Sequence, residues 1–204
     1  MGDLNKGRLR SIAGVNFMII TFTVIWAVFM IVGFGIIPFS VVALIVLIAY
    51  SVFLYVAMVP TMRSIRTLPN APIDNNTGQA GRRIGRRFRI IFGVEILCGA
   101  AVIVVCNIIG AYEYISPAIA VFVGAHFILL SPLFHIRWYI PSGIIVILVS
   151  AAAILLIALG IWDSLAIGTS CLVTALVTAS IASYLLWLVR RGIKKLKMQA
   201  ANSS

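Results

Sequence analysis

Acid is what this chain has least of. Five Asp and Glu stand among 204 residues, against sixteen Lys and Arg, and only two histidines and three cysteines accompany them. Two histidines, one of them beside a polar turn, leave too few ligands for haem or zinc, so no metal and no cofactor is expected. Three cysteines cannot form a complete disulfide set, and Cys98 and Cys106 on one helix would sit about 12 Å apart along its axis, too far to bridge. Cys106 and Cys171 could approach each other in the outer half of a bilayer. The chain also lacks a phosphate-binding glycine loop, a Cys-x-x-Cys pair, a His-x-x-x-His pair and a nucleophile elbow. Nucleotide hydrolysis, dithiol exchange, zinc hydrolysis and serine hydrolysis therefore have no footing in it.

Charge as a whole is scarce. At 62% hydrophobic and 10% charged residues, with a mean hydropathy of +1.14, there is too little polar surface to coat a water-soluble globule of this length. The apolar residues fall into six runs, Ile12 to Val32, Pro38 to Val59, Phe88 to Ile109, Pro117 to Phe134, Ile140 to Leu159 and Leu165 to Val189. Each is close to the roughly 20 residues that a helix needs to cross about 30 Å of hydrocarbon. The fold class expected is an all-α, polytopic bundle of six transmembrane helices.

The sixteen cations then carry orientation. Lys6, Arg8 and Arg10 precede the first run, and Arg63, Arg66, Arg82, Arg83, Arg86, Arg87 and Arg89 lie between the second and third. Arg137 lies between the fourth and fifth, and Arg190, Arg191, Lys194, Lys195 and Lys197 follow the sixth. The odd connections hold only Glu113 and Asp163. Basic connections stay cytoplasmic, which puts both termini inside and makes a nucleic-acid partner unnecessary. The domain reading is a cytoplasmic tail over 1–11, a membrane domain over 12–189 with a cytoplasmic loop over 60–87, and a basic cytoplasmic tail over 190–204, frayed from Met198 on. The first run is too long for a cleaved leader and lacks its small-residue cleavage pattern, so it is read as a retained span. Pro60 is expected to end the second helix. Arg82, Arg83, Arg86, Arg87 and Arg89 share adjacent helical stripes at the start of the third span, where they can contact anionic lipid headgroups at the cytoplasmic face.

Two ionisable side chains are sunk in hydrocarbon-like sequence: Glu95 and His126. Such groups are costly in lipid unless they face protein or a wet cavity, which makes them a candidate site by default. Glu95 lies about 9 Å along the helix from Arg89, and His126 about 12 Å from Phe134. Consecutive spans joined by a short turn run antiparallel and touch, so the two are expected to meet in the cytoplasmic half. Asn16, Ser51, Ser183 and Tyr184 project to a similar level on other helices, and the six together form the candidate substrate-binding cavity. A single hydrogen bond that only fixes packing is the plainer alternative.

The remaining polar residues read as packing. Asn16 and Thr23 share a face of the first span, and Ser170, Thr174 and Thr178 recur every four residues in the sixth. Glu95, Gly99, Val102 and Cys106 line one side of the third, a groove into which another helix could fit. Ile37-Pro38-Phe39-Ser40 and Ile140-Pro141-Ser142-Gly143 both open the middle span of a three-span half, a weak sign of inverted repeats.

The stretch Gly124-Ala125-His126-Phe127-Ile128-Leu129-Leu130-Ser131-Pro132-Leu133-Phe134 resembles a segment of small, uncharacterised bacterial polytopic membrane protein families, in which Gly-Ala-His or Gly-x-His precedes Leu or Phe in a late span. The proline comes later here than in that pattern, and the resemblance covers this stretch alone. It implies a multi-pass protein of the bacterial inner membrane with His126 in the distinctive position, and it implies no activity. Three functions stay open: binding or moving a small solute or proton through a cytoplasm-facing site, an accessory or scaffold subunit with a membrane partner or a second copy, and a membrane-embedded lipid-modifying enzyme. The last has an acid and a base but no evident nucleophile or metal, so the chain leans away from catalysis.

Overall fold

A computed structural model describes residues 6–68 and 75–201, with side chains described over 6–68 and 85–199. Six α-helices and one short 3-10 turn make up these residues, and no strand occurs among them. The helices are α1 (Lys6–Phe34), α2 (Pro38–Arg66), α3 (Asn75–Ile109), α4 (Ile115–Phe134), α5 (Tyr139–Ala158) and α6 (Asp163–Ala201). All six carry a stretch long and apolar enough to cross a membrane.

The helices overrun the hydrocarbon runs at the basic end, and four expectations need correcting there. Residues 6–11 belong to α1, because Leu9 is fully buried in the core and pulls the first turn into the bundle. Helix α2 does not stop at Pro60: the ring removes one donor from the ladder, yet Thr61 and Ile65 beyond it are buried. The neighbouring Ala57 carbonyl accepts from Thr61 Oγ1 at 2.9 Å and from Arg190 Nη2 at 3.1 Å. These bonds brace the helix one residue past the Val56 carbonyl that loses its donor, and the arginine ties that turn to α6. The loop over 60–87 shrinks accordingly to the stretch between Arg66 and Asn75, most of it outside the described residues. The tail after Arg190 continues α6 as helix, with Ile193 buried and Gly192 seated against Leu9.

Helix α6 is the hub. It packs on α1, α2, α4 and α5, and its seam with α1 is the most extensive in the molecule. Glycines permit the closest crossings: Gly33 of α1 lies against the backbone of Gly168, and Gly124 of α4 against Gly143 of α5, where any Cβ would collide. Small residues are how lipid-embedded helices approach. Helix α3 is the outlier. It packs on α4 and the short turn over Tyr112–Tyr114, with no comparable contact elsewhere, and 6% of its most apolar stretch is buried against 56% for α6.

Cations tie the basic end together across helices. Lys6 Nζ donates to the carbonyls of Arg66 and Leu68 at 3.0 and 2.6 Å, at the close of α2. Arg8 Nη2 donates to the carbonyl of Phe134 at 3.0 Å, at the close of α4. Both place positive charge where the last carbonyls lack helical partners and the helix dipole is negative.

Candidate functional site

His126 stands in α4, one of the helices that packs on the hub, and Glu95 in α3, whose main packing among the described residues is on α4. Aromatic rings hold this joint. Phe88 of α3 meets Phe134 edge-on at 6.1 Å, Phe92 meets the His126 ring at 6.3 Å, and His126 leans on Phe127, which stacks on Tyr139 of α5. Gly124, two residues before His126, brings α5 close behind it. The Gly-Ala-His stretch thus combines a packing glycine with a polar group held in an aromatic frame.

The expected meeting occurs. His126 Nδ1 lies 2.7 Å from Glu95 Oε2, with the two side chains 6% and 14% exposed. The contact is off the axis of the ring N–H, so Nδ1 makes an ion-pair contact without an aligned hydrogen bond. At this separation the two can hold opposite charges, and a turn of the imidazole that brings its N–H onto Oε2 would make the hydrogen bond along which a proton passes. Beside the pair is a narrow cleft of about 20 Å³ whose surface is almost wholly apolar, leaving little room for a solute and few partners for a water. Its walls are Val15, Met18, Ile19 and Phe22 of α1 and Val123, Phe127 and Leu130 of α4, with Thr178 of α6 at its edge.

The other four candidates do not join the pair. Ser51 donates to the Leu47 carbonyl of its own helix at 2.8 Å. Ser183 bonds Tyr50 of α2 at 2.6 Å. Tyr184 sits between Trp138 and Trp187 in an aromatic group capped by Arg191. Asn16 is fully buried, and neither atom of its amide has a hydrogen-bond partner; Val15, Met18 and Ile19 around it line the cleft, and Asn16 does not. Depth along the helix is right for these residues, and azimuth separates them. The groove expected along α3 is also half empty: Cys106 is buried, but a Cβ on Gly99 would meet open space.

Thr178 is the site residue that sequence reasoning passes over. Its row of hydroxyls at every fourth position reads as packing, and it does pack. Thr23 donates to Thr178 at 3.0 Å across the α1–α6 seam, Ser150 meets Ser170 at 3.0 Å across α5–α6, and Thr174 and Thr178 donate back to their own helix. The same Thr178 borders the cleft, so one side chain serves both.

Arg86, Arg87 and Arg89 are exposed at the start of the apolar part of α3, whereas the side chains of Arg82 and Arg83 lie outside the described residues. The three cysteines are free, and among the described residues no group of His, Cys, Asp and Glu could hold a metal. No family model matches the chain, and neither the curated proteins nor the solved structures contain a match.

Proposed function

We propose that this protein binds a proton at Glu95 and His126 within the bilayer and moves it between the cleft and the side of the membrane that carries its cations. The carrying observation is the 2.7 Å contact of a carboxylate and an imidazole, both largely buried, inside membrane-crossing helices. The cleft beside them leaves little room for a solute, which supports proton handling over solute transport. On this reading the basic end faces the cytoplasm, both termini are inside, and Arg86, Arg87 and Arg89 contact anionic lipid there. The resemblance around His126 supports a bacterial inner membrane as the setting.

The test is a titration of ring-labelled histidine by NMR, with the whole chain in lipid nanodiscs. His135, exposed in a left-handed cap after α4, is the internal reference. We expect the His126 signal to follow pH between protonated and neutral positions, and Glu95→Gln to move that transition by at least a pH unit while His135 stays put. A His126 signal indifferent to Glu95→Gln overturns the reading.

A second reading has its own support. Helix α3 leaves Ile96, Leu97, Val104, Val105 and Ile108 exposed along the bundle's edge, as an accessory subunit with a helical membrane partner or a second copy would. It expects Glu95→Gln to change abundance and leave pH dependence untouched.

A further inference from the structure

We infer that the exposed face where α5 begins and α6 leaves its apolar run holds the headgroup of an anionic phospholipid, with its phosphate on Arg191 and with Arg137 and Lys194 as flanking cations. The site is independent of Glu95 and His126.

The face is built by an aromatic ladder. Trp138 meets Tyr184 at 6.2 Å, Tyr184 meets Trp187 at 5.7 Å, and the Arg191 guanidinium lies over the Trp187 ring, 5.1 Å from its centre. Tyr184, Trp187, Arg191 and Lys194 follow one another at three, four and three residues, and α6 is unbroken across them. That spacing keeps all four on one side of the helix. Buried Ile193, and Gly192 seated against Leu9, fix this part of α6 to the bundle. Arg137 precedes Trp138 in the turn before α5, and Arg137, Trp138, Trp187, Arg191 and Lys194 are all exposed.

Depth and charge name the ligand. The last apolar run ends at Val189, so Trp187 stands just inside the hydrocarbon and Arg191 about 6 Å further along the axis, just beyond it. Indole and phenol rings settle at that boundary. An indole engages the guanidinium charge without occupying its N–H donors, which stay available to fork onto a phosphate. Among the described residues no carboxylate competes at this end: Glu95 faces His126, and Glu113 and Asp163 stand at the opposite end. A zwitterionic headgroup would bring its own ammonium among three cations, where like charges repel. A headgroup with net negative charge brings none.

The experiment places the whole chain, with 5-fluorotryptophan at its four tryptophans, in phosphatidylcholine nanodiscs with rising phosphatidylglycerol, read by fluorine NMR. The Trp187 and Trp138 signals are expected to shift saturably, while buried Trp26 and exposed Trp162 hold still. Trp162 meets the same lipid in the other leaflet, so an equal shift there would mean diffuse surface charge and would overturn the inference. Arg191→Gln and Arg137→Gln should each weaken the response about fivefold. Arg191→Lys keeps the charge without the fork, and most of that loss should remain. Arg86→Gln, at the same end but on α3, should leave the response in place. Wild-type binding by Arg191→Lys, or a loss with Arg86→Gln equal to that with Arg191→Gln, reduces the effect to net charge and overturns the site. Inorganic phosphate added to phosphatidylcholine discs should do nothing; a shift as large as the one from phosphatidylglycerol assigns the site to free phosphate and overturns the lipid. None of these outcomes bears on the titration of His126.

Discussion

Helices α3 and α6 each close a three-span half of the chain, and they occupy opposite situations. Four helices surround α6, whereas α3 leans on one. Hydrophobicity does not separate them, since both cross the membrane as apolar stretches. Small and hydroxylated residues do. Helix α6 offers Gly168, Ser170, Cys171, Thr174, Ala175, Thr178, Ala179 and Ala182 to its neighbours, and all eight are buried, with Gly168 pressed against Phe34. Helix α3 presents Ile, Val and Leu outward. In lipid, apolar surface gains nothing by leaving its surroundings, so close backbone approach and hydrogen bonds decide which helix becomes the centre. This inequality also weakens the inverted repeat suggested by the two proline-led spans, because the third helices of its halves would be equivalent.

The comparison can be broken most sharply at the joint of α3. His126→Ala removes the partner of Glu95 and two aromatic contacts, and we expect a loss of about 3 kcal/mol, the lower end for breaking a buried pair. Hydrogen exchange in nanodiscs should show the amides of α3 opening while those of α6 keep their protection; equal opening in both would refute α3's separate attachment. Gly33→Ala attacks the hub instead, by driving a methyl into the backbone of Gly168. About 2 kcal/mol should be lost, read as a lowered unfolding midpoint, while Gly99→Ala on α3, which meets open space, should leave the midpoint in place. Thr178→Val withdraws the acceptor from Thr23, for about 1 kcal/mol within the membrane range. Arg8→Ala is the smallest, about 0.5 kcal/mol, for one cation lost from the end of α4; its signature is faster exchange confined to the residues near Phe134.

Six crossings could be read from runs of apolar residues, because crossing length is a property of one helix. The meeting of Glu95 and His126 was legible too, since consecutive antiparallel spans touch and the two depths matched. What the residues withheld is lateral. Nothing in Asn16, Ser51, Ser183 or Tyr184 says which neighbour each will face, and a shared depth collected them into one cavity that the packing dissolves. The helix ends were misjudged for a related reason. Hydropathy marks where hydrocarbon stops, but Leu9, Ile65 and Ile193 continue the core past that line, beneath a coat of arginine and lysine that reads as tail. Thr178 was legible as packing and hidden as cleft because one spacing serves either purpose.

The seam between α1 and α6 joins the two of these six helices that lie farthest apart along the chain. While the ribosome is still at work, Thr23 has no Thr178 to meet and Gly33 no Gly168. The newborn bundle therefore stays ajar while α2 to α5 are inserted, and its largest interface closes only once α6 has been made. A chain cut short before α6 would leave its opening helix without the surface it was waiting for.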